Sequence, residues 1–294
     1  TCGPFGSALA AGRLLGLTSE QMLWALGNAG TQSSGLWEFM NSGGMSKHLH
    51  AGRAAESGIL AAQLANQGFT GPSRILEGHQ GLFVATCPDA KIDEVLAAPD
   101  SPWQLNRTSI KPWPSCRHTH PAIDAALELH PMVESAAEIH VRTYQAALDV
   151  CDRAMPENEY EAKFSLQHCV AMALVDGQIN FDSFDAPARE RIRDTARLVN
   201  LEVTHDIEMA YPHNWGCELV ITADNGQKIT ASRQHCKGDP EFPLNGDEMQ
   251  EKAGQLLSHA GIKKDEQQRL ISYILNLPNQ SKVVDLISLL ELNY

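Results

Sequence analysis

Between Leu49 and Asn66 a helical stripe is built almost wholly from small residues, with Ala51, Ala54, Ala55, Gly58, Ala61, Ala62 and Ala65 recurring at i, i+3, i+4 and i+7 spacing. A face that flat has no ridges to hold a neighbour away, so it confines the chain to folds in which helix backbones approach closely. Gly68 stands where a left-handed residue would end such a helix. Two helices precede it. Gly6 to Leu17 puts Ala8, Leu9, Ala11 and Leu15 at helical spacing before Gly16, and Thr18 opens the next with Gln21 at capping-box distance, followed by Met22, Ala25, Leu26 and Ala29. The first hundred residues predict packed helices.

The pattern changes where Pro99, Pro102, Pro112, Pro114 and Pro121 crowd together, which places a boundary near residue 108. Beyond it the spacing predicts a helix (Ala122 to Leu129), a strand (Ile139 to Tyr144), a helix (Glu161 to Val175), a charged helix (Ala188 to Val199) and a strand (Leu201 to Ile207). Cys217 to Thr222 and Gln227 to Ser232 flank Asp224-Asn225-Gly226, a strong hairpin signal. After Pro240 and Pro243 amphipathic faces return: Met249, Ala253, Leu256 and Leu257, then Leu270, Ile271, Ile274 and Leu275, then Val283, Leu286, Ile287 and Leu290. The expected fold is mainly α with an α+β part: a first helical segment over 1–108, an α+β part over 109–246, and C-terminal helices over 247–294 that return to the helical domain.

Charge narrows the partners. Lys plus Arg is 23 and Asp plus Glu 36, a balance of −13, which argues against nucleic acid and anionic membrane and requires a local basic pocket for any anionic ligand. No apolar run approaches the roughly 18 residues of a membrane span. Seven cysteines, scattered and never in CxxC spacing, fit a reducing compartment, hence a cytoplasmic protein. The chain starts at Thr1 in the middle of a helical pattern and reads as cut from something longer.

Two basic segments carry the candidate chemistry. Lys47, His50 and Arg53 follow Gly43-Gly44 at i, i+3 and i+6 and lie on one side of a helix start, where unpaired N–H groups favour a carboxylate or phosphate; the plain alternative is a solvated basic helix end. No GxxxxGK[ST] or GxGxxG occurs, which argues against nucleotide. Lys111-Pro112-Trp113-Pro114-Ser115-Cys116-Arg117-His118-Thr119-His120-Pro121 is a stiff loop leading into another helix, with a Thr119 or His120 cap expected. It serves as an anion site or as a rigid hinge. Cys116, His118 and His120 alternate as metal ligands would in an extended segment, yet no second Cys/His pair lies near, so no metal is expected. Tyr160 and Lys163 share a helix start, as proton donor and charge partner or as ordinary solvated residues. His79 and the remaining histidines, His130, His140, His168, His205, His213, His235 and His259, read as structural.

In combination these segments, together with Gly3-Pro4-Phe5-Gly6, Leu14-Leu15-Gly16-Leu17, Gly68-Phe69-Thr70-Gly71-Pro72 and Glu161-Ala162-Lys163-Phe164-Ser165, resemble the MmgE/PrpD family in order over essentially the whole chain. The resemblance implies a helical domain with an inserted α+β lid, a homodimer, and cofactor-independent acid–base chemistry on a small di- or tricarboxylate. It implies a 2-methylcitrate dehydratase-like lyase, with cis-aconitate decarboxylase-type or iminodisuccinate epimerase-type activity as alternatives. An inactive carboxylate-binding or structural fragment is a further alternative. His50, Lys47 and Tyr160 become the catalytic candidates, with His50 first for proton transfer. Lys111, Cys116, Arg117, His118, Lys163 and Arg53 become substrate-binding residues, and Lys47, His50, Lys111, Cys116, Arg117 and Lys163 are expected to converge on one cleft. Two departures stand out: the N-terminal third of the family pattern has no counterpart, and Cys116-Arg117 occupy a loop where the dehydratase and decarboxylase branches tend to carry His.

Overall fold

A computed structural model describes residues 1–42, 44–87, 89–93, 103–280, 282 and 286. The chain divides into two compact units, Thr1–Ser101 and Pro102–Tyr294. It is mainly α with an α+β part, as the residue patterns predict.

In the first unit, α1 (Gly3–Leu15), α2 (Ser19–Thr31) and α3 (Ser46–Asn66) pack against one another, with short helices at Phe39–Ser42 and Leu82–Thr86. Their shared core is Ala8, Ala25, Ala29, Ala61, Ala62 and Ala65, all fully buried. Alanine buries little apolar area, so this unit depends on close backbone approach more than on large side chains. Gly58 shows how close: a Cβ there would lie 2.4 Å from Ser7 Cβ and 2.5 Å from the Pro4 carbonyl oxygen. The ends follow local chemistry. Gly16 takes φ +69° and the Leu17 N–H reaches back to the Gly12 carbonyl at 3.0 Å. Thr18 and Gln21 complete the reciprocal capping box. Gly68, at φ +83°, ends α3. The third helix begins three residues before its predicted start, which brings Lys47 inside it together with His50.

The second unit is built on a four-stranded mixed sheet in the order β2-β1-β3-β4, with β1 (Glu138–Thr143), β2 (Val199–Val203), β3 (Cys217–Thr222) and β4 (Lys228–Arg233). β1 pairs parallel with β2 and antiparallel with β3, and the β3–β4 hairpin turns at Gly226, φ +81°. One face buries Ile139, Val141, Val199, Leu219, Ile221 and Ala231. Two helices cover it. These are α4 (His120–Leu129) on β3 and β4, and α5 (Leu166–Asp176), buried all round from Leu166 to Leu174, against α4 and β2. The other face carries Arg142 between Glu202 (3.2 Å) and Glu218 (2.8 Å). Helices α6 (Gly246–His259) and α7 (Lys264–Leu275) follow; Lys237 pairs with Glu248 at 2.8 Å, and His259 stacks on Phe181 at 4.2 Å. Both helices thus belong to the unit that starts at Pro102. The expected apolar run from Val283 to Leu290 lies almost wholly outside the described residues.

Three elements differ from the sequence reading. The helix expected over Glu161 to Val175 is two, Glu159–Ala162 and α5, because the Ser165 hydroxyl accepts the His168 N–H (2.9 Å) and starts the chain afresh. The charged helix is likewise split, into Ala186–Arg191 and Arg193–Arg197. The strand near Leu201 starts at Val199, in register with Ile139, and gives way at Thr204 to a short helix, His205–Ala210. Among the described residues no helix is long and apolar enough to cross a membrane.

Candidate functional site

The first unit places Lys47, His50 and Arg53 in the first turns of α3. Lys47 is exposed. His50 is half-buried, its ring edge-on to Phe39 at 5.6 Å. Arg53 forms an ion pair with Glu56 one turn on.

In the second unit the proline-rich loop closes on itself. Lys111 Nζ donates to the Ser115 carbonyl (2.7 Å), the Ser115 and Thr119 hydroxyls lie 2.9 Å apart, and Thr119 Oγ1 donates to the Cys116 carbonyl (2.8 Å). Thr119 stands at the N-cap position of α4 with Pro121 in the first turn, as expected, but its hydroxyl holds the loop and makes no capping hydrogen bond. Residues Arg117–Thr119 form a 3₁₀ turn, so the extended geometry that would align Cys116, His118 and His120 is not adopted. Among the described residues no group of three His, Cys, Asp or Glu is arranged to hold a metal ion. The Cys116 N–H donates to the Lys163 carbonyl at 2.8 Å, which ties the loop to the segment of Tyr160 and Lys163. Lys163 Nζ is engaged with Glu159 (2.6 Å) and lies over the Phe184 ring. Burial, and then the neighbouring Cys116, push the Tyr160 phenol above its ordinary value. Thus Lys111, Cys116, Tyr160 and Lys163 come together locally.

Arg117 has the most elaborate surroundings. Its Nη2 donates to Asp239 Oδ1 at 2.5 Å, and its guanidinium lies over Trp215, 5.2 Å from the ring centroid. Asp239 also accepts from Ser109 Oγ (2.7 Å) and the Cys236 N–H (2.9 Å). Burial works to raise the Asp239 carboxyl, but the Ser109 hydroxyl, Arg117 and the Cys236 N–H outweigh it and hold it below the ordinary carboxylate value. His118 stacks on Trp215 (4.7 Å), and its Nδ1 is 2.8 Å from the Tyr144 hydroxyl. Arg117, Trp215, Ser109 and Asp239 edge a cleft of about 400 Å³ that also meets Arg107, His213 and His235. Asp239, Trp215, Tyr144 and the two cleft histidines escape sequence reasoning; the only local signal is the Gly238-Asp239-Pro240 turn.

His120 is fully buried against Trp113 (5.2 Å), and neither ring nitrogen has a hydrogen-bond partner among the described residues. Burial first, then the charges of Arg117 and Lys111, hold it well below the usual histidine value, and the nearby Ser115 backbone only partly opposes them. Of the other histidines, His130 meets the Leu174 carbonyl at 2.7 Å and His168 that of Ser183 at 2.8 Å, both structural contacts.

Residues 1–95 match the MmgE/PrpD N-terminal domain and residues 113–277 the MmgE/PrpD C-terminal domain. Relatives include cis-aconitate decarboxylase of Homo sapiens, 27% identical over 98% of this chain and 61% of its own length. The Aspergillus terreus cis-aconitate decarboxylase is 28% identical over 98% and 63%, and that of Mus musculus 28% over 85% and 53%. The chain spans about three-fifths of the length of the first two of these. Both domain matches fall in order along a chain whose Lys47 and Lys111 segments carry the same resemblance, and the chain belongs to the MmgE/PrpD family.

Proposed function

We propose that this chain belongs to a cofactor-independent lyase that decarboxylates a small tricarboxylate of the cis-aconitate type. The curated relatives are decarboxylases, which favours this over the dehydratase that heads the expectations from sequence. The observation that carries the reading is a basic set of the right types, with Lys47 and His50 at the start of α3 and Arg117 held over Trp215, in a chain related to those enzymes along nearly all its length. The physical logic is charge. A protein at −13 repels a tricarboxylate, so several cations must meet in one place to hold it.

Loss of CO2 leaves the electron pair of the broken C–C bond on the carbon framework, where an adjacent carboxylate spreads it as enolate-like charge until a proton arrives. Lys47 would stabilise that charge, and His50, with Tyr160 second, would deliver the proton. Lys111, Cys116, Arg117, His118, Lys163 and Arg53 would bind the carboxylates. In this proposal the α+β unit, with the C-terminal helices that belong to it, is the lid, and the protein is a cytoplasmic homodimer.

The test is an NMR time course of the native protein with cis-aconitate, citrate, 2-methylcitrate and iminodisuccinate. Consumption of cis-aconitate with release of CO2, unchanged by EDTA, is expected. Loss of water from 2-methylcitrate would reinstate the dehydratase, epimerisation of iminodisuccinate would point to the third activity, and binding without turnover would favour an inactive fragment. Activity lost to EDTA and restored by a divalent ion would overturn the cofactor-independent mechanism.

A further inference from the structure

We propose that the cleft beside Arg117 is a carboxylate subsite lying wholly within the second unit, and that one carboxylate of the ligand sits on Arg117 Nη1. The proposal rests on the reading that this chain's ligand is a di- or tricarboxylate. The cleft measures about 400 Å³ and is edged by Arg107, Ser109, Arg117, His213, Trp215 and His235.

Arg117 is set up as a fixed donor. Asp239 holds Nη2, Ser109 and the Cys236 N–H hold Asp239, and Trp215 supports the flat guanidinium. The other end, Nη1, is buried and has no hydrogen-bond partner among the described residues. A buried guanidinium nitrogen left without an acceptor is costly, and a planar oxyanion is its natural complement. Of the acids at this cleft, Asp239 is engaged with Arg117 through Nη2 and Glu241 lies 3.5 Å from His235; in the proposal a ligand carboxylate supplies the acceptor for Nη1. Arg107 and Arg117 balance Asp239 and Glu241, so the cleft is no general sink for anions. Its selectivity lies in one oriented donor with Arg107 and His213 at the rim. Asp239 is a positioning residue: it acts through Arg117 and does not touch the ligand.

The experiment reads the site directly. In nitrogen-15 labelled protein the Trp215 indole N–H, which donates to the Pro212 carbonyl (3.1 Å), is one of five tryptophan signals and is assigned by Trp215→Phe. Titration with citrate should shift it saturably, glycerol should not, and inorganic phosphate should bind at least about tenfold more weakly than citrate. Arg117→Gln with Asp239→Asn, which removes both partners together and strands neither charge, should weaken citrate about tenfold or more, the scale of a lost charge-assisted hydrogen bond. Arg117→Lys, which keeps charge and loses the fork, should weaken it by a similar factor. Should the double variant fail to fold, exposed Arg107→Gln should weaken citrate about threefold and Glu241→Gln should tighten it, as expected of charges at a partly screened rim. Unchanged citrate affinity in these variants, or phosphate binding equal to citrate, overturns the subsite. Two further outcomes separate the readings. The indole shift without turnover of any acid sinks the decarboxylase and leaves the subsite. Decarboxylation with KM unmoved in the double variant sinks the subsite and leaves the decarboxylase.

Discussion

Arg117 was legible as a cation of the right type in a stiff loop, but its partner was not, because Asp239 lies 122 positions away and only the folded chain brings them together. The same holds for Lys111 and Lys163, whose type is plain in the sequence while their engagement with the Ser115 carbonyl and Glu159 is not. Lys47 carries the sharpest residue-scale prediction. If it steadies developing enolate charge, Lys47→Ala should lower kcat about 10²-fold or more, with a smaller change in KM; steady-state kinetics showing a change in KM alone would reduce it to a binding group. His120 carries a prediction for acid stability. Its imidazole stays neutral in the folded chain well below the usual value, while the unfolded chain takes up a proton near pH 6.5. The unfolded state therefore binds more protons just below that pH, so the stability contribution is present above about 6.5 and lost as pH falls. His168, lowered by burial, adds in the same direction. His120→Phe should keep or raise Tm at pH 7.5, since two unpartnered nitrogens disappear, and should flatten the fall in Tm between pH 6.5 and 5. Melting curves that fall as steeply as in the parent protein would show that this imidazole is not the sensor.

Elements whose signals are local emerged correctly: the Thr18–Gln21 box, the left-handed Gly16 and Gly68, and the Gly226 hairpin all depend on residues within a few positions of each other. Elements set by distant partners did not. The helix break at Ser165 is hidden in a continuous apolar run, and the second strand starts where pairing with Ile139 places it, two residues before its apolar pattern suggests. The small-residue stripe of α3 joins the two cases, since its period was readable and its consequence is an interhelical distance. That distance yields a prediction. Adding one methyl group at Gly58 would put it 2.4 Å from Ser7 Cβ and 2.6 Å from the Ala8 nitrogen, so α1 and α3 must separate. Although alanine is the better helix former, Gly58→Ala should destabilise the protein by about 1 to 3 kcal/mol. Gly52→Ala, on the same helix with nothing within 4 Å, should be neutral or slightly stabilising. Equal denaturation midpoints for the two variants would mean that the close approach does not bear on stability.

For the whole molecule, the fold class followed from the switch between helical and alternating periodicity, and the family from motifs spread along the chain. The boundary was less legible. Prolines pointed to residue 108, while the units divide between Ser101 and Pro102, because the prolines from Pro112 onward stiffen a loop inside the second unit and do not link two bodies. The proposed homodimer is the property that belongs to this scale. The first unit uses alanines for its core and leaves large apolar side chains outside it: Leu14 is 89% exposed, Leu36 85% and Trp37 66%. Exposed apolar groups in that number on one unit mark surface that gains from being covered, and we propose that a second copy of this chain covers it. Light scattering at micromolar concentration should therefore give about twice the 32.1 kDa of this chain. Replacing Leu14 and Leu36 together with Glu should return the mass to that of one chain, since burying two carboxylates in an apolar interface costs more than the lost contacts alone. A single-chain mass for the unaltered protein, or a dimer indifferent to the paired substitution, would remove the first unit from the interface and require the exposed leucines to be explained otherwise.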